Sequence, residues 1–180
     1  MATRRMVLLS LAGLLAGPGV AAAAALTGVR HDGARIGPAD LPGWKLVYFG
    51  YTHCPDVCPM GLQTMAEAID ALGAVGERIT PVFVTVDPER DTPALMKTYV
   101  GYFHARFVGL SPSLAELPEL AAAWRVKYAK VPGSNPDSYT MDHTASVFLA
   151  DPAGAVVGRF PHDLGGAAMA NKIRSVLLAR

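Results

Sequence analysis

The chain has 180 residues, of which 51% are hydrophobic and 17% charged, so it can bury one sizeable core without reaching the length at which chains usually divide into domains. Its 16 Lys and Arg oppose 15 Asp and Glu, a formal net charge of +1. This balance, with no run of like charges, argues against a nucleic-acid-binding protein, which needs a clustered basic face. Two cysteines are too few for a disulfide-stabilised miniprotein, and we expect them to act as a pair.

Residues 1–25 have the features of an export segment. Arg4 and Arg5 precede an apolar stretch, and small residues suited to cleavage follow at 21–25. The pattern predicts a secretory signal peptide, with an N-terminal membrane anchor as the alternative. Residues 3–8 also resemble a twin-arginine export signal. We therefore expect one exported domain at 26–180, in the periplasm or at the outer face of the inner membrane, where the redox state of the cysteine pair becomes a question of function.

The rest of the chain alternates strand patterns with helix patterns. Strands are predicted at 45–50, 79–86, 107–110, 144–149 and 155–160. Helices are predicted at 59–72, 92–103, 113–124 and 167–178. The segment 131–139 contains two Pro with Gly, Ser and Asn, which predicts a loop. This order predicts an α/β fold with a central sheet, helices on both of its faces, and a C-terminal β-hairpin followed by a helix.

The cysteine pair follows the first predicted strand. Cys54 and Cys58 are four residues apart, where the chain turns into the next helix, and sites in open α/β sheets form beyond the carboxyl ends of strands. Free N–H groups and the positive dipole end of that helix should lower the pKa of at least one thiol below its free value of about 8.5. The spacing alone leaves three chemistries open: a structural disulfide, a reversible dithiol and a metal site.

A histidine far along the chain favours the metal site. His143 lies where the predicted loop enters the strand at 144–149, at a strand edge able to face the cysteines. Two thiolates and one imidazole form a soft, low-coordinate set that suits copper, especially Cu(I), whereas zinc normally takes a fourth ligand. His53, next to Cys54, is an alternative ligand or an influence on the thiol pKa, although an exposed loop histidine is the simpler interpretation.

The acidic segment 87–93 ends the second long strand and opens the next helix. In the structural interpretation, Asp91 or Thr92 caps the helix and Arg90 forms a local ion pair. In the functional interpretation, Asp87 lies beside the cysteine loop, where its carboxylate orients a ligand or raises a thiol pKa.

Three ordered segments resemble the signatures of the Sco/SenC family. They are FGYTHCPDVCP at 49–59, VTVDPERDTP at 84–93 and DHTA at 142–145. The resemblance runs from about residue 32 to the C-terminus and implies a thioredoxin-like fold, copper binding and assistance in assembling the dinuclear copper site of cytochrome c oxidase subunit II. It implies copper ligands at Cys54, Cys58 and His143, and it places Asp87 and Asp91 near them.

Two functional hypotheses follow from the residues and the resemblance together. The first is a copper metallochaperone that holds Cu(I) or Cu(II) and passes it by ligand exchange to subunit II or another cuproprotein, without catalytic turnover. The second is an exported thiol-disulfide reductase, in which Cys54 attacks a substrate disulfide and Cys58 resolves the mixed disulfide. A peroxidase of the thioredoxin superfamily is a third, weaker hypothesis. His143 distinguishes the first two, because a reductase needs no third ligand.

Overall fold

The structure, a computed structural model, describes residues 25–135 and 138–180. The predicted export segment lies outside the described residues except for Ala25. The strands are β1 (Gly28–Arg30), β2 (Arg35–Ile36), β3 (Trp44–Gly50), β4 (Ile79–Thr85), β5 (Val108–Ser111), β6 (Tyr128–Pro132), β7 (Tyr139–His143), β8 (Ser146–Ala150) and β9 (Val156–Pro161). The α-helices are α1 (Val57–Leu72), α2 (Pro93–Gly101), α3 (Leu117–Ala123) and α4 (Gly166–Leu178). No helix within the described ranges has the length and hydropathy that a membrane crossing requires.

In the described part of the chain, the central sheet has seven strands in the order β2-β1-β5-β4-β3-β8-β9, and β6 with β7 forms a separate hairpin. The middle strands β3, β4 and β5 are parallel, whereas β1, β8 and β9 join the sheet in antiparallel pairs. Each of the two parallel steps is connected by a helix, α1 and then α2, as parallel crossovers require. The predicted central sheet with a C-terminal hairpin and helix is confirmed, and the sheet is mixed.

Neighbouring residues of β3 show how the two faces of the sheet are covered. The Tyr48 ring lies against Gly61 of α1 and stacks on Phe83, which contacts Tyr99 of α2. Phe49 points to the opposite face, where its ring packs against Trp124 at the end of α3. Because side chains alternate along a strand, these two adjacent aromatic residues pack against helices on opposite faces of the sheet. The predicted placement of helices on both faces is thus observed. The last helix, α4, packs against α1.

The helix boundaries follow local chemistry. Gly73 ends α1 as predicted, with a φ of 57° that favours glycine because it carries no Cβ. The third helix begins at Leu117 rather than at the predicted residue 113, and Ser113 and Glu116 exchange hydrogen bonds in the turn that precedes it. Pro118 then occupies the first turn of α3, where its missing N–H is tolerated.

The prediction of a loop at 131–139 is wrong at both ends. Antiparallel pairing runs from Tyr128 opposite His143 to Pro132 opposite Tyr139, so the turn-forming composition describes only the tip of a hairpin. The Tyr139 ring lies 3.5 Å from the Arg90 guanidinium carbon and 3.8 Å from Lys130 Nζ. These cation–π contacts stabilise the hairpin. Local sequence composition does not reveal them, because Arg90 lies far from Tyr139 in the sequence. The predicted strand at 144–149 correspondingly starts later, at Ser146.

Candidate metal centre

Cys54, Cys58 and His143 meet beyond the carboxyl end of β3. One ligand atom from each lies within 4.8 Å of the other two, and Cys58 Sγ is 3.2 Å from His143 Nε2. Both cysteines are free thiols, with Cys54 half-buried and Cys58 buried. The juxtaposition expected from the sequence is therefore present, with two sulfur donors and one nitrogen donor already close together.

Gly50, the last residue of β3, allows Cys58 to approach the end of the strand. A Cβ at residue 50 would lie 2.6 Å from Cys58 Sγ and 2.9 Å from the Phe83 ring. Both distances are too short for real contacts, and neither neighbour can move freely, because Cys58 and Phe83 are fully buried. The absence of a side chain at Gly50 is thus a packing requirement of the site.

We expect Gly50→Ala to lower the free energy of unfolding by about 1–3 kcal/mol, the usual cost of overpacking a core, and to displace the Cys58 thiol. Gly101→Ala is the matched control, because a Cβ there meets nothing within 4 Å and alanine stabilises helices relative to glycine. Denaturant unfolding of both variants measures the difference. Equal stability of the two variants would contradict the packing argument.

The two thiols have opposite acidities. Hydrogen bonding from Cys58 lowers the pKa of Cys54 to about 3, assisted by His143 and by the backbone N–H groups of Asp56 and Cys58 at the start of α1. Burial raises the pKa of Cys58, and the neighbouring Cys54 raises it further. The pKa of Cys54 is lowered as expected, but the N–H groups at the helix start contribute less to this than the Cys58 side chain does. The pair therefore combines a half-exposed thiolate with a buried thiol.

The imidazole of His143 is held on two sides by aromatic rings. Tyr48 and Tyr51 meet it edge to face, with ring centroids 6.0 and 5.9 Å away. His143 Nδ1 lies 3.4 Å from the Thr144 carbonyl oxygen, which favours a proton on Nδ1. When Nε2 gives up its own proton and the one on Nδ1 stays, the lone pair of Nε2 faces the thiols, as a metal-ligating histidine requires.

Asp91 holds the loop that carries Cys54 in place through hydrogen bonds. Its buried carboxylate accepts hydrogen bonds from Thr52 N at 3.0 Å, Thr52 Oγ1 at 2.6 Å and Thr85 Oγ1 at 2.5 Å. Thr92, rather than Asp91, caps α2 through its bond from Leu95 N. Asp91 thus acts on the site through Thr52, two residues before Cys54.

We expect Asp91→Ala to lower the free energy of unfolding by about 2–4 kcal/mol, because it leaves buried donors without their acceptor. Asp163→Ala is the control, since Asp163 is exposed and such changes usually stay within about 0.5 kcal/mol. Thermal or denaturant unfolding provides the readout. A loss at residue 91 no larger than the loss at residue 163 would refute this role.

Asp87 holds the hairpin that carries His143 in place through a hydrogen bond and through its ion pair with Arg90. Its carboxylate is buried, accepts a hydrogen bond from the Tyr139 hydroxyl at 2.8 Å and pairs with Arg90 Nε at 2.5 Å. Arg90 also donates from Nη1 to the Tyr139 carbonyl oxygen at 3.1 Å. The local ion pair predicted for Arg90 is confirmed, and it belongs to a contact that joins the acidic segment to β7.

His53 is not among the three converging residues. Its side chain is 49% exposed, and Nδ1 lies 3.1 Å from Thr52 Oγ1 and 3.7 Å from Asp91 Oδ1. The structure therefore places His53 beside the Asp91 carboxylate, in keeping with the simpler interpretation of an exposed loop histidine.

Sequence reasoning did not identify the residues that position the ligands. Thr52 and Tyr139 connect the two ligand-bearing segments to the acidic segment, and Tyr48 and Tyr51 hold the imidazole. The one sequence signal for the two rings is their position shortly before Cys54, because their contact with His143 spans more than ninety residues of sequence.

Known proteins resemble this chain in sequence and in structure. The sequence model of the SCO1/SenC family matches residues 20–178. The human mitochondrial protein SCO1 homolog is 38% identical over 133 residues, which are 72% of this chain and 44% of that protein. This chain spans about half the length of the curated relatives that it matches.

Two solved structures extend the comparison to the fold. Arabidopsis thaliana ScoI with copper bound superimposes with a TM-score of 0.82 at 32% identity, over 88% of this chain and 99% of that one. Bradyrhizobium japonicum ScoI with copper bound gives 0.77 at 36% identity, over 86% and 98%. These likenesses confirm the expected thioredoxin-like fold. Since the family match also covers most of its length, this chain belongs to the SCO1/SenC family.

Proposed function

We propose that this protein is a copper metallochaperone that holds Cu(I) or Cu(II) through Cys54, Cys58 and His143. The observation that carries the proposal is the convergence of two sulfur donors and one nitrogen donor within 4.8 Å. Thiolates and imidazole together form a soft donor set, and a three-donor set suits Cu(I) better than the harder divalent ions. Two relatives that share the fold have been solved with copper bound, which supports the same cargo here.

The surroundings of the site support delivery of the metal as well as its binding. Cys54 is half-exposed, and an open cleft of about 770 Å³ reaches His143 between α3 and the β6–β7 hairpin. An acceptor can therefore bring its own donors next to the bound ion, and copper passes by stepwise exchange of ligands. We propose cytochrome c oxidase subunit II as the acceptor, with assembly of its dinuclear copper site as the outcome.

The proposal includes the location of the protein. Residues 1–25 export the domain formed by 26–180, so copper is bound and passed on in the periplasm or at the outer face of the inner membrane. In that oxidising compartment the cysteines need a thiol reductant before they can take up Cu(I).

Anaerobic titration with Cu(I) against a chromogenic chelator tests metal binding. Reduced wild-type protein should bind one equivalent tightly, and Cys54→Ser and Cys58→Ser should each compete far less well. The loaded protein should then pass copper to the reduced apo domain of subunit II. Binding by either cysteine variant as tight as that of wild type, or no transfer to the acceptor, would contradict the proposal.

The unequal acidity of the two thiols favours a second candidate function. A half-exposed Cys54 with a lowered pKa and a buried Cys58 with a raised pKa form the asymmetric pair that thiol-disulfide exchange uses. In this role the protein reduces the cysteines of the cuproprotein that receives the metal. Reduction of a disulfide in the acceptor by the metal-free dithiol form tests it, and an acceptor that stays oxidised would exclude it.

A further inference from the structure

A second cavity lies at the end of the sheet away from the cysteines. It has a volume of about 290 Å³, at the lower end of the range for ligand cavities. Its lining includes Leu26, Leu41, Lys45, Trp124, Ala150 and Pro152. Lys45 is the second residue of β3 and Gly50, beyond which the cysteines lie, is the last. At about 3.3 Å per residue, roughly 16 Å of strand separates the cavity from the candidate metal centre.

Among the described residues that line this cavity, Lys45 is the one with a charged side chain, and it is only 7% exposed. Its Nζ donates to two carbonyl oxygens at long distances, 3.4 Å to Leu41 and 3.5 Å to Pro152. An ammonium has three N–H donors, so these two bonds leave one available. The carboxylate of Asp151 acts on Lys45 electrostatically but forms its ion pair with Arg180, at 2.9 Å. None of the salt bridges found among the described residues includes Lys45.

The other described side chains that line the cavity are apolar. Leu26, Leu41 and Ala150 provide aliphatic surface, and Trp124 provides aromatic surface. A buried ammonium with no anion in direct contact is costly in such surroundings, and burial lowers the pKa of Lys45 although the Asp151 carboxylate partly opposes this. An anion placed at Nζ would gain a charge-assisted hydrogen bond and compensate the buried charge.

We propose that this cavity binds a small organic carboxylate, with its carboxylate on Lys45 Nζ and its apolar body against Trp124 and Leu41. The charge selects an anion over a neutral or cationic ligand, and the apolar walls favour an organic acid over an inorganic anion. The small volume limits the ligand to about the size of one substituted ring or a short alkyl chain. This binding site is independent of the copper-delivery function proposed above.

The test uses benzoate as the probe, with benzyl alcohol and benzylamine as neutral and cationic compounds of similar size. Each is titrated into the isotopically labelled full chain and followed by amide and indole NMR shifts. Benzoate should bind at least about tenfold more tightly than benzyl alcohol, with benzylamine weakest. The largest shifts should fall on Leu41, Ala150 and the Trp124 indole. Benzoate binding no tighter than benzyl alcohol, or shifts confined to other surfaces, would overturn the proposal.

A pair of lysine variants tests the part played by the charge. Lys45→Met keeps an apolar chain of similar length and should abolish the preference for benzoate, whereas Lys172→Met, at an exposed helix position, should retain it. Equal preference in both variants would overturn the assignment of Lys45. The ranking of the three compounds on wild-type protein decides the proposal even if Lys45→Met folds poorly. Cu(I) binding by Lys45→Met should match wild type, so failure of this proposal leaves the copper proposal untouched.

Discussion

Replacement of His143 by alanine is expected to weaken copper binding by more than about 100-fold and to leave thiol-disulfide exchange largely intact. Loss of groups that merely support a metal ligand typically costs 10–100-fold in affinity, and removal of a ligand should cost more. The two thiols remain in place, because Cys54 and Cys58 are positioned by the loop and by α1. The measurements are Cu(I) competition and the rate of reduction of a model disulfide, on the same preparations.

His53→Ala is the matched control for this experiment. His53 is next to Cys54 in the sequence, but its imidazole lies beside Asp91 and is not among the three residues that converge. It should bind copper as wild type does. If both histidine variants retained wild-type affinity, His143 would not be a ligand and the chain would be left as a dithiol protein. If both lost affinity equally, the assignment would fail as well.

Alkylation of Cys54 in the reduced, metal-free protein is expected to proceed at a nearly constant rate from pH 5 to pH 8. The lowered pKa of Cys54, about 3, means that the reactive thiolate is fully formed above about pH 5 and is lost only as the pH falls through 3. In the unfolded chain, where a thiol has a pKa of about 8.5, the rate should rise by roughly 1000-fold over the same interval. Iodoacetamide labelling followed by mass spectrometry measures both profiles.

Variants of Cys58 test the cause of this acidity. The largest contribution to the lowered pKa is the hydrogen bond that Cys58 donates, so Cys58→Ala should move the inflection of the Cys54 profile to higher pH. Cys58→Ser retains a donor and should move it less. A wild-type rate that rises tenfold per pH unit between 5 and 8 would show that Cys54 is an ordinary thiol and would remove the asymmetry on which the reductase hypothesis depends.

Local sequence patterns predicted most of the fold that positions the site. Apolar runs at 45–50 and 79–86 correspond to β3 and β4, and the end of α1 at Gly73 follows from the φ that glycine tolerates. These features depend on residues close in sequence, where periodicity and turn chemistry are informative. The position of the cysteines at a strand end and helix start was predictable for the same reason.

The supports of the candidate ligands were not predictable, because each joins distant segments. The hairpin that presents His143 is stabilised by Tyr139 lying between two cationic groups, one of them on the acidic segment. Similarly, Asp91 binds Thr52 across a separation of 39 residues. A single sequence shows Asp87 and Asp91 but not the segments that they bind. Only the structure shows that Asp91 holds the cysteine loop and that Asp87 holds the hairpin.

X-ray absorption spectroscopy of the Cu(I)-loaded protein tests the proposed ligand set most directly. The account predicts two sulfur atoms and one nitrogen or oxygen donor around copper in wild type, with imidazole scattering in the spectrum. His143→Ala should retain both sulfurs and lose that scattering, and His53→Ala should match wild type. A wild-type spectrum with fewer than two sulfurs, or imidazole scattering that survives in His143→Ala, would contradict binding by Cys54, Cys58 and His143.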